Sequence, residues 1–535
     1  MHTGYELVWI AAERTPKHTA LVDDVSDRRL TYREMIAEID AVAAGMAARG
    51  ISAGSRVATA LPTTWEHGIF ILALMRLNAV PAMLNFRLKP DEICALFEAS
   101  GITAAAILPD PALAEALAQV LPDDAPIWTA GAAVGPARDI AECRGDPASL
   151  PPYSQPAETD IAFLYYTSGT TGLPKAVVLN HRSTEHRLVW LSTQGGLRHG
   201  THNRALGCMP LSHAIGFYGV FLITLAFNGT FFYVSEFNPV KIVDLVEREK
   251  LTYAFCVPTM FQAMAAAPNY APSKMASMEL TLFGGITIDP DLLEHIDQEW
   301  GGKIRHIYGT TETMCSLSNP EPVGQHATLR AAYYSRIRLI RIDGDGVDDV
   351  VAPGEEGELI VDANVDTIFT EYLGRPDATA EKKRDGWYYT GDVFLQEENG
   401  DITLVGRVDD MIRSGGESIH PEEVEAVLDE YEAVGEVSVV GIPDPTWGQM
   451  VVACIRRPDG DTATLAADID AHCKASALAG FKRPKAYFFT DELPRNAANK
   501  VLRRLLRDSA SDARQSESGD FVTPAQVPSH PISPL

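Results

Sequence analysis

The chain is poor in the residues that staple small secreted folds and in those that bind polyanions over a broad surface. Its seven cysteines, Cys94, Cys143, Cys208, Cys256, Cys315, Cys454 and Cys473, are scattered, odd in number and free of any Cys-x-x-Cys pair. That spacing speaks against a disulfide framework or a zinc ribbon, and for reduced, mostly buried thiols in a cytoplasmic setting. Lys and Arg are few, 45 against 72 Asp and Glu, for a formal net charge of −27. Such a balance excludes nucleic acid and anionic membrane as general partners, and any anionic ligand must be met by local cations and backbone dipoles. Residues 1–10 lack the basic start and apolar run of a secretion signal. One run, 214–234, holds no charge over 21 residues, about the length that spans a bilayer. Asn228-Gly229 breaks it, so we expect a buried helix to about Phe227, a turn, and a strand over Thr230 to Val234 rather than a membrane span.

What is present is core material, 46% hydrophobic residues in 535, enough for two or more domains. Strand-like runs alternate with amphipathic stretches over the first 300 residues, for example 56–61, then 65–77, then 80–84. This is the rhythm of doubly wound α/β units. Residues 146–160 read as a surface connection, and 331–405 as a small β part. A new module starts near Asp409, with helices over 421–431 and 466–476 and strands over 436–441 and 451–456. Beyond about residue 508 periodicity stops, and 509–535 reads as a disordered tail.

The densest motif is Tyr166 to Lys175, YTSGTTGLPK. Apolar strand candidates flank it. A Gly-rich loop there can turn backbone N–H groups inward as an anion nest. Ser168, Thr170 and Thr171 add hydroxyls, and Lys175 adds a point charge. The set suits a polyphosphate, although the spacing is not that of a Walker loop. Further motifs follow in order: Phe283-Gly284-Gly285, Tyr308-Gly309-Thr310-Thr311-Glu312-Thr313, Gly357-Glu358-Leu359, Tyr389-Thr390-Gly391-Asp392, Gly406-Arg407-Val408-Asp409-Asp410, and a late Lys500.

In this order the set resembles the adenylate-forming superfamily of acyl-CoA synthetases, luciferases and adenylation domains, over roughly residues 5–508. Within it the chain is similar to the benzoate-type CoA ligases, through Gly196-Leu197-Arg198-His199-Gly200, Pro210-Leu211-Ser212-His213, residues 406–421, Phe481-Lys482-Arg483-Pro484-Lys485, and Asn499-Lys500-Val501. The resemblance implies a large N-terminal domain over 1–408, made of two doubly wound α/β subdomains and a small distorted β-barrel. A small mobile α+β domain over 409–508 follows. It implies ATP, Mg²⁺ and coenzyme A as cofactors, with homodimerisation as a family expectation.

The resemblance also assigns roles. Thr167, Ser168, Gly169, Thr170, Thr171, Gly172 and Lys175 would cradle the β- and γ-phosphates. Thr311 would bond the α-phosphate, and Glu312 would hold Mg²⁺, a hard cation suited to oxygen ligands. Gly284 and Gly285 leave room for adenine, Tyr308 stacks on it, and Gly309 and Thr310 complete that loop. Asp392 would take the ribose hydroxyls with help from Arg407. Lys500 would clamp the carboxylate and α-phosphate. Asp409 is the expected hinge that exchanges Lys500 for the Gly415-Gly416 loop between two half-reactions. For CoA the candidates are Arg87, Arg483 and Lys485, with Trp447 and Phe481 as faces for its base. The acid pocket falls on Trp190, His213, Ala214, Ile215, Phe255, Ile286, Ile307, Gly309, Met314 and Cys315. His213 either orients the carboxylate or gates the site, or is a satisfied core histidine. No acid stands where amino-acid-activating domains hold an α-amine, so amino acids are not expected; the apolar and aromatic lining that the resemblance assigns implies an aromatic acid. Cyclohexane or medium-chain acids, delivery to a carrier protein, and a nucleotide-binding scaffold are the alternatives.

Overall fold

The computed structural model describes residues 1–167, 174–285, 288–325, 328–457, 462–495 and 500–523. The chain forms two compact units, Met1–Ile337 with Val361–Tyr389, and Arg338–Ile360 with the chain from Thr390 onward.

The first unit holds two sheets of the expected α/β kind. In one, Arg56–Ala60 runs parallel to Val80–Met83 and to Ala104–Ile107. Ile161–Thr167 adds to Val80–Met83, then turns the sheet antiparallel with Lys175–Asn180. Thr167 and Lys175 are register partners at the end of that ladder. In the other sheet, Arg204–Gly207, Thr230–Tyr233, Tyr253–Cys256, Leu280–Phe283 and Lys303–Tyr308 are all parallel. Parallel strands are covered on both faces and so read as unbroken apolar runs. Every residue of Thr230–Tyr233, Tyr253–Cys256 and Leu280–Phe283 is buried.

The charge-free run folds inward as expected. It is helical over Ile215–Leu222 and Ile223–Ala226, and Thr230–Tyr233 is a strand. The first segment is wound as a π-helix, which widens the turn by one residue. Asn228 takes the left-handed turn at φ 62°, and its Nδ2 donates to the Ala11 carbonyl at 2.6 Å. Among the described residues no helix is long and apolar enough to cross a membrane.

Ile337–Ile340, Glu356–Asp362, Trp387–Gln396 and Ile402–Arg407 follow one another as neighbours in one sheet, the expected small β part. The layout departs from expectation in two ways. The boundary expected at residue 409 does not divide the units. His420 Nε2 pairs with Glu356 at 2.8 Å and Arg413 pairs with Asp343, so 338–360 packs with the C-terminal module. The tail expected from residue 509 is ordered through 523. The helix Arg503–Gln515 buries Leu506 and Ala510 against Val440, Ile442 and Val452. Phe521–Val522 then pairs with Tyr487 and Phe488. Residues 524–535 lie outside the described residues.

His67 gives this fold a pH signature. It is fully buried on the helix Trp65–Arg76, with Nδ1 at 3.0 Å from the Pro62 carbonyl. Burial lowers its pKa to about 4. The fold therefore favours neutral imidazole, and its contribution is complete above the unfolded value near 6.5 and is lost as pH falls through 4. Urea unfolding between pH 6.5 and 4 should show a loss of about 3 kcal/mol from this group. His67→Asn should flatten that slope.

Candidate active site

The parallel strands of the second sheet end together. At their carboxyl edge emerge Phe255 and Cys256, then Phe283-Gly284-Gly285, then Tyr308-Gly309, the edge where open α/β sheets take ligands. Two glycines are required by close backbone approach. A Cβ on Gly309 would sit 1.5 Å from the Met314 carbonyl oxygen, and one on Gly284 would sit 2.3 Å from that of Ile307. Thr310 and Thr313 exchange backbone-to-hydroxyl hydrogen bonds, both at 3.2 Å. Met314 closes the turn at φ 64°.

This turn presents Glu312, which is buried. Its Oε1 accepts a 2.8 Å hydrogen bond from the Tyr372 hydroxyl. Lys175 Nζ lies 5.1 Å from the centroid of the same Tyr372 ring. The structure thus gathers Lys175, Tyr372 and Glu312 around one aromatic ring. Burial, and then the Glu312 carboxylate, push the Tyr372 hydroxyl pKa up, so it stays a donor. Underneath lies Arg187, fully buried on the helix His181–Thr193. It donates to the carbonyls of Thr311 at 2.9 Å, Glu312 at 3.3 Å and Thr367 at 3.0 Å. Sequence reasoning missed Arg187 and Tyr372. For Arg187 a signal existed: it falls in step with buried Ser183, Thr184, Leu188 and Leu191 on one helix face. Tyr372 carries none.

Of the expected acid pocket, Ile215 and Phe255 meet across Gly219, where an added Cβ would lie 3.7 and 2.9 Å from them. Phe255 also approaches Gly284 at 3.9 Å from its Cβ position. Ile307, Met314, Cys315, Ala214 and Trp190 are buried. The Trp190 Nε1 has no hydrogen-bond partner among the described residues. Burial raises the Cys315 thiol to about 12, so it is an inert wall rather than a nucleophile. Burial, and then the Arg87 guanidinium, lower the His213 pKa. Arg87 itself is exposed, over the Phe86 ring at 5.5 Å. Residues 168–173, which include Ser168, Gly169, Thr170, Thr171 and Gly172, lie outside the described residues, as does Ile286.

In the second unit Asp392 and Arg407 are direct cross-strand partners. Arg407 NH1 donates to the buried Asp392 carboxylate at 2.5 Å. Lys500 joins them. Solvent reaches it, yet the protein around it and the Arg407 charge lower its pKa, with Asp410 and Asp392 opposing. Asp409 is exposed in the turn after Arg407, where Met411 N–H returns to the Arg407 carbonyl at 3.1 Å.

Gly415 and Gly416 both need positive φ, 63° and 89°. Gly415 N–H donates to the Trp447 carbonyl at 2.7 Å, and Lys485 Nζ lies 5.6 Å from the Trp447 ring centroid. Gly415, Trp447 and Lys485 are therefore brought together. Arg483 instead faces Asp470 at 3.9 Å, and Phe481 is exposed beside Lys482. The Trp447 loop is held by Asp444, which accepts from Trp447 N–H at 3.0 Å and pairs with Arg514 at 2.6 Å. Arg514 lies in the segment the sequence reads as tail.

Comparison with known proteins bears on this arrangement. Residues 8–373 match the family model described as AMP-binding enzyme, and residues 423–500 match the AMP-binding enzyme C-terminal domain. The chain is 43% identical over 524 residues to a 4-chlorobenzoate–CoA ligase of Arthrobacter sp, covering 97% of this chain and 98% of that one. It is 33% identical over 486 residues to a feruloyl-CoA synthase of Amycolatopsis sp, covering 89% and 93%. Among solved structures, o-succinylbenzoate CoA synthetase from Bacillus subtilis, in complex with ATP and a magnesium ion, superposes with a TM-score of 0.81 at 25% identity, covering 95% of this chain and all of that one.

Arg187→Met should expose the dependence of the Glu312 turn on one side chain. Loss of the guanidinium takes the donor from the Thr311 and Thr367 carbonyls, while that of Glu312 keeps the Phe369 N–H at 2.7 Å, and chemical denaturation should report a destabilisation of about 3 kcal/mol. An unchanged midpoint would show that the turn holds itself.

Proposed function

This chain belongs to the AMP-binding enzyme family, and we propose that it is an AMP-forming CoA ligase acting on an aromatic, benzoate-type carboxylic acid. The observation that carries the reading is the meeting, at one sheet edge, of a charge-handling cluster with an apolar one. Lys175, Thr311 and Glu312 form the first. Ile215, Phe255, Ile307 and Met314 form the second, and no carboxylate or ammonium group faces it among the described side chains named above. An uncharged ring suits such a lining.

A carboxylate cannot acylate a thiol directly, because oxide is too poor a leaving group. Transfer of the adenylyl group from ATP makes a mixed anhydride and releases pyrophosphate. Two anions must first approach, so the site's work is positioning and charge neutralisation. Lys175 and the loop of residues 167–175 bind the β- and γ-phosphates, and Thr311 bonds the α-phosphate. Glu312 suits Mg²⁺: it is a single hard carboxylate whose Oε1 is the oxygen bonded to Tyr372. When bound, the ion neutralises phosphate charge. Gly284, Gly285 and Tyr308 take the adenine. Asp392, oriented by Arg407, takes the ribose hydroxyls, and Lys500 bridges carboxylate and α-phosphate. His213, with its lowered pKa, stays neutral at physiological pH and orients the acid as a hydrogen-bonding group.

In the second half-reaction the CoA thiol attacks the acyl carbon and AMP leaves. Gly415, Gly416, Trp447 and Lys485 serve this step, with Arg87, Phe481 and Arg483 as outer contacts for CoA. Asp409 is the pivot.

ATP–pyrophosphate exchange with benzoate, 4-chlorobenzoate, 4-hydroxybenzoate, cyclohexanecarboxylate and octanoate tests the reading. We expect exchange and a matching CoA thioester with a benzoate, at least tenfold above the two non-aromatic acids. Preference for octanoate, or exchange without thioester, would overturn the aromatic CoA ligase assignment. Asp409→Pro should spare exchange within threefold while slowing thioester formation from the adenylate at least 100-fold. Equal loss of both rates would remove Asp409 from its role as pivot.

A further inference from the structure

The opposite edge of the parallel sheet carries a cavity that the ligase reading leaves unused. It has a volume of about 230 Å³ and lies at the amino ends of Tyr253–Cys256, Leu280–Phe283 and Lys303–Tyr308. Six-residue Lys303–Tyr308 separates it from the Glu312 turn by about 17 Å of strand. Its wall is basic: Arg198, Lys303 and Arg305 with His202, against the single carboxylate Glu279 in the lining. Arg198, His202 and Lys303 form an exposed rim.

In a chain with 72 acidic residues and 45 basic ones, cations ordinarily find carboxylates. Here neither Arg198 nor Lys303 makes a salt bridge among the described residues, although Glu279 stands in the same lining. On the floor, Arg305 NH1 donates to the Gln194 carbonyl at 2.7 Å. Its Nε is buried with no partner. An unsatisfied buried guanidinium N–H costs free energy that an anionic acceptor would recover. Converging cations repel one another, and a bound anion removes that cost as well. Asn203 and Thr252 shape the loop above: Asn203 Nδ2 donates to the Arg198 carbonyl at 2.6 Å, and the Thr252 hydroxyl to that of His202 at 3.1 Å.

We propose that this cavity binds a soluble, phosphate-bearing small anion at a site separate from the ATP and acid sites. Phosphate fits the donor set, because its tetrahedral oxygens accept from the Arg305 guanidinium in the lining while Arg198 and Lys303 close from the rim. Arg305 also gives the site a route to the catalytic edge. The carbonyl it holds, that of Gln194, directly follows the helix His181–Thr193, which carries Arg187 and Trp190. The inference does not depend on which acid the enzyme activates.

Calorimetric titration of the full chain with inorganic phosphate, at constant ionic strength, tests it. Arg198 and Lys303 are exposed, so Arg198→Gln/Lys303→Gln leaves the core intact. We expect a saturable phosphate site whose affinity falls at least tenfold in this double variant and stays within twofold of wild type in Lys175→Gln. Equal affinity in wild type and double variant, or no saturable binding, would overturn the proposal. A parallel flotation with phosphatidic acid vesicles separates the source of the phosphate. Recovery on vesicles without uptake of free phosphate would replace the small-anion site with a lipid contact and overturn it.

Discussion

A single buried guanidinium underlies the geometry of the first unit. Arg187 enters from the helix His181–Thr193 and holds the carbonyls of Thr311, Glu312 and Thr367. These carbonyls belong to segments up to 180 residues away in sequence. Burial lowers the Arg187 pKa, with the Tyr218 and Tyr165 hydroxyls opposing, yet guanidinium starts so far above neutrality that it stays charged. The turn it holds is strained at Met314 and allows no side chain at Gly309. Removing such a tether would let the turn relax, and with it the Glu312 carboxylate and its Tyr372 and Lys175 neighbours.

The second unit solves a different electrostatic problem. It is rich in carboxylates, and one of its cations, Arg503, is shared among three of them. Arg503 reaches Asp410 at 3.0 Å, Glu422 at 2.9 Å and Glu425 at 2.7 Å. Those carboxylates outweigh its burial and raise its pKa. Arg407 serves Asp392, and Arg514 serves Asp444 beside Trp447. Lys500 lies in the same field, and its lowered pKa reflects burial and Arg407 more than the nearby acids. A lysine whose hold on its proton is weakened in this field is suited to the charge-clamping role proposed for it.

Much of this was legible from sequence, for identifiable reasons. Parallel strands announce themselves because both faces are covered, as in Tyr253–Cys256. Motif glycines such as Gly284 and Gly309 were legible because sterics admit nothing else there. What escaped depends on partners distant in sequence. Arg187 sits on a buried helical face, but nothing local says which carbonyls it meets. Tyr372 has no local signature at all. The helix Arg503–Gln515 looks like tail because its apolar seam is only Leu506, Ala510 and Ala513 in a polar background.

The account's central claim is that an acyl-adenylate links the two edges of the chemistry, and isotope transfer tests it most directly. Benzoate labelled with ¹⁸O in its carboxylate would be turned over with ATP, Mg²⁺ and CoA, and the products weighed by mass spectrometry. The account predicts AMP carrying one ¹⁸O atom together with benzoyl-CoA. Label in inorganic phosphate with ADP as product, or unlabelled AMP beside the thioester, would contradict it.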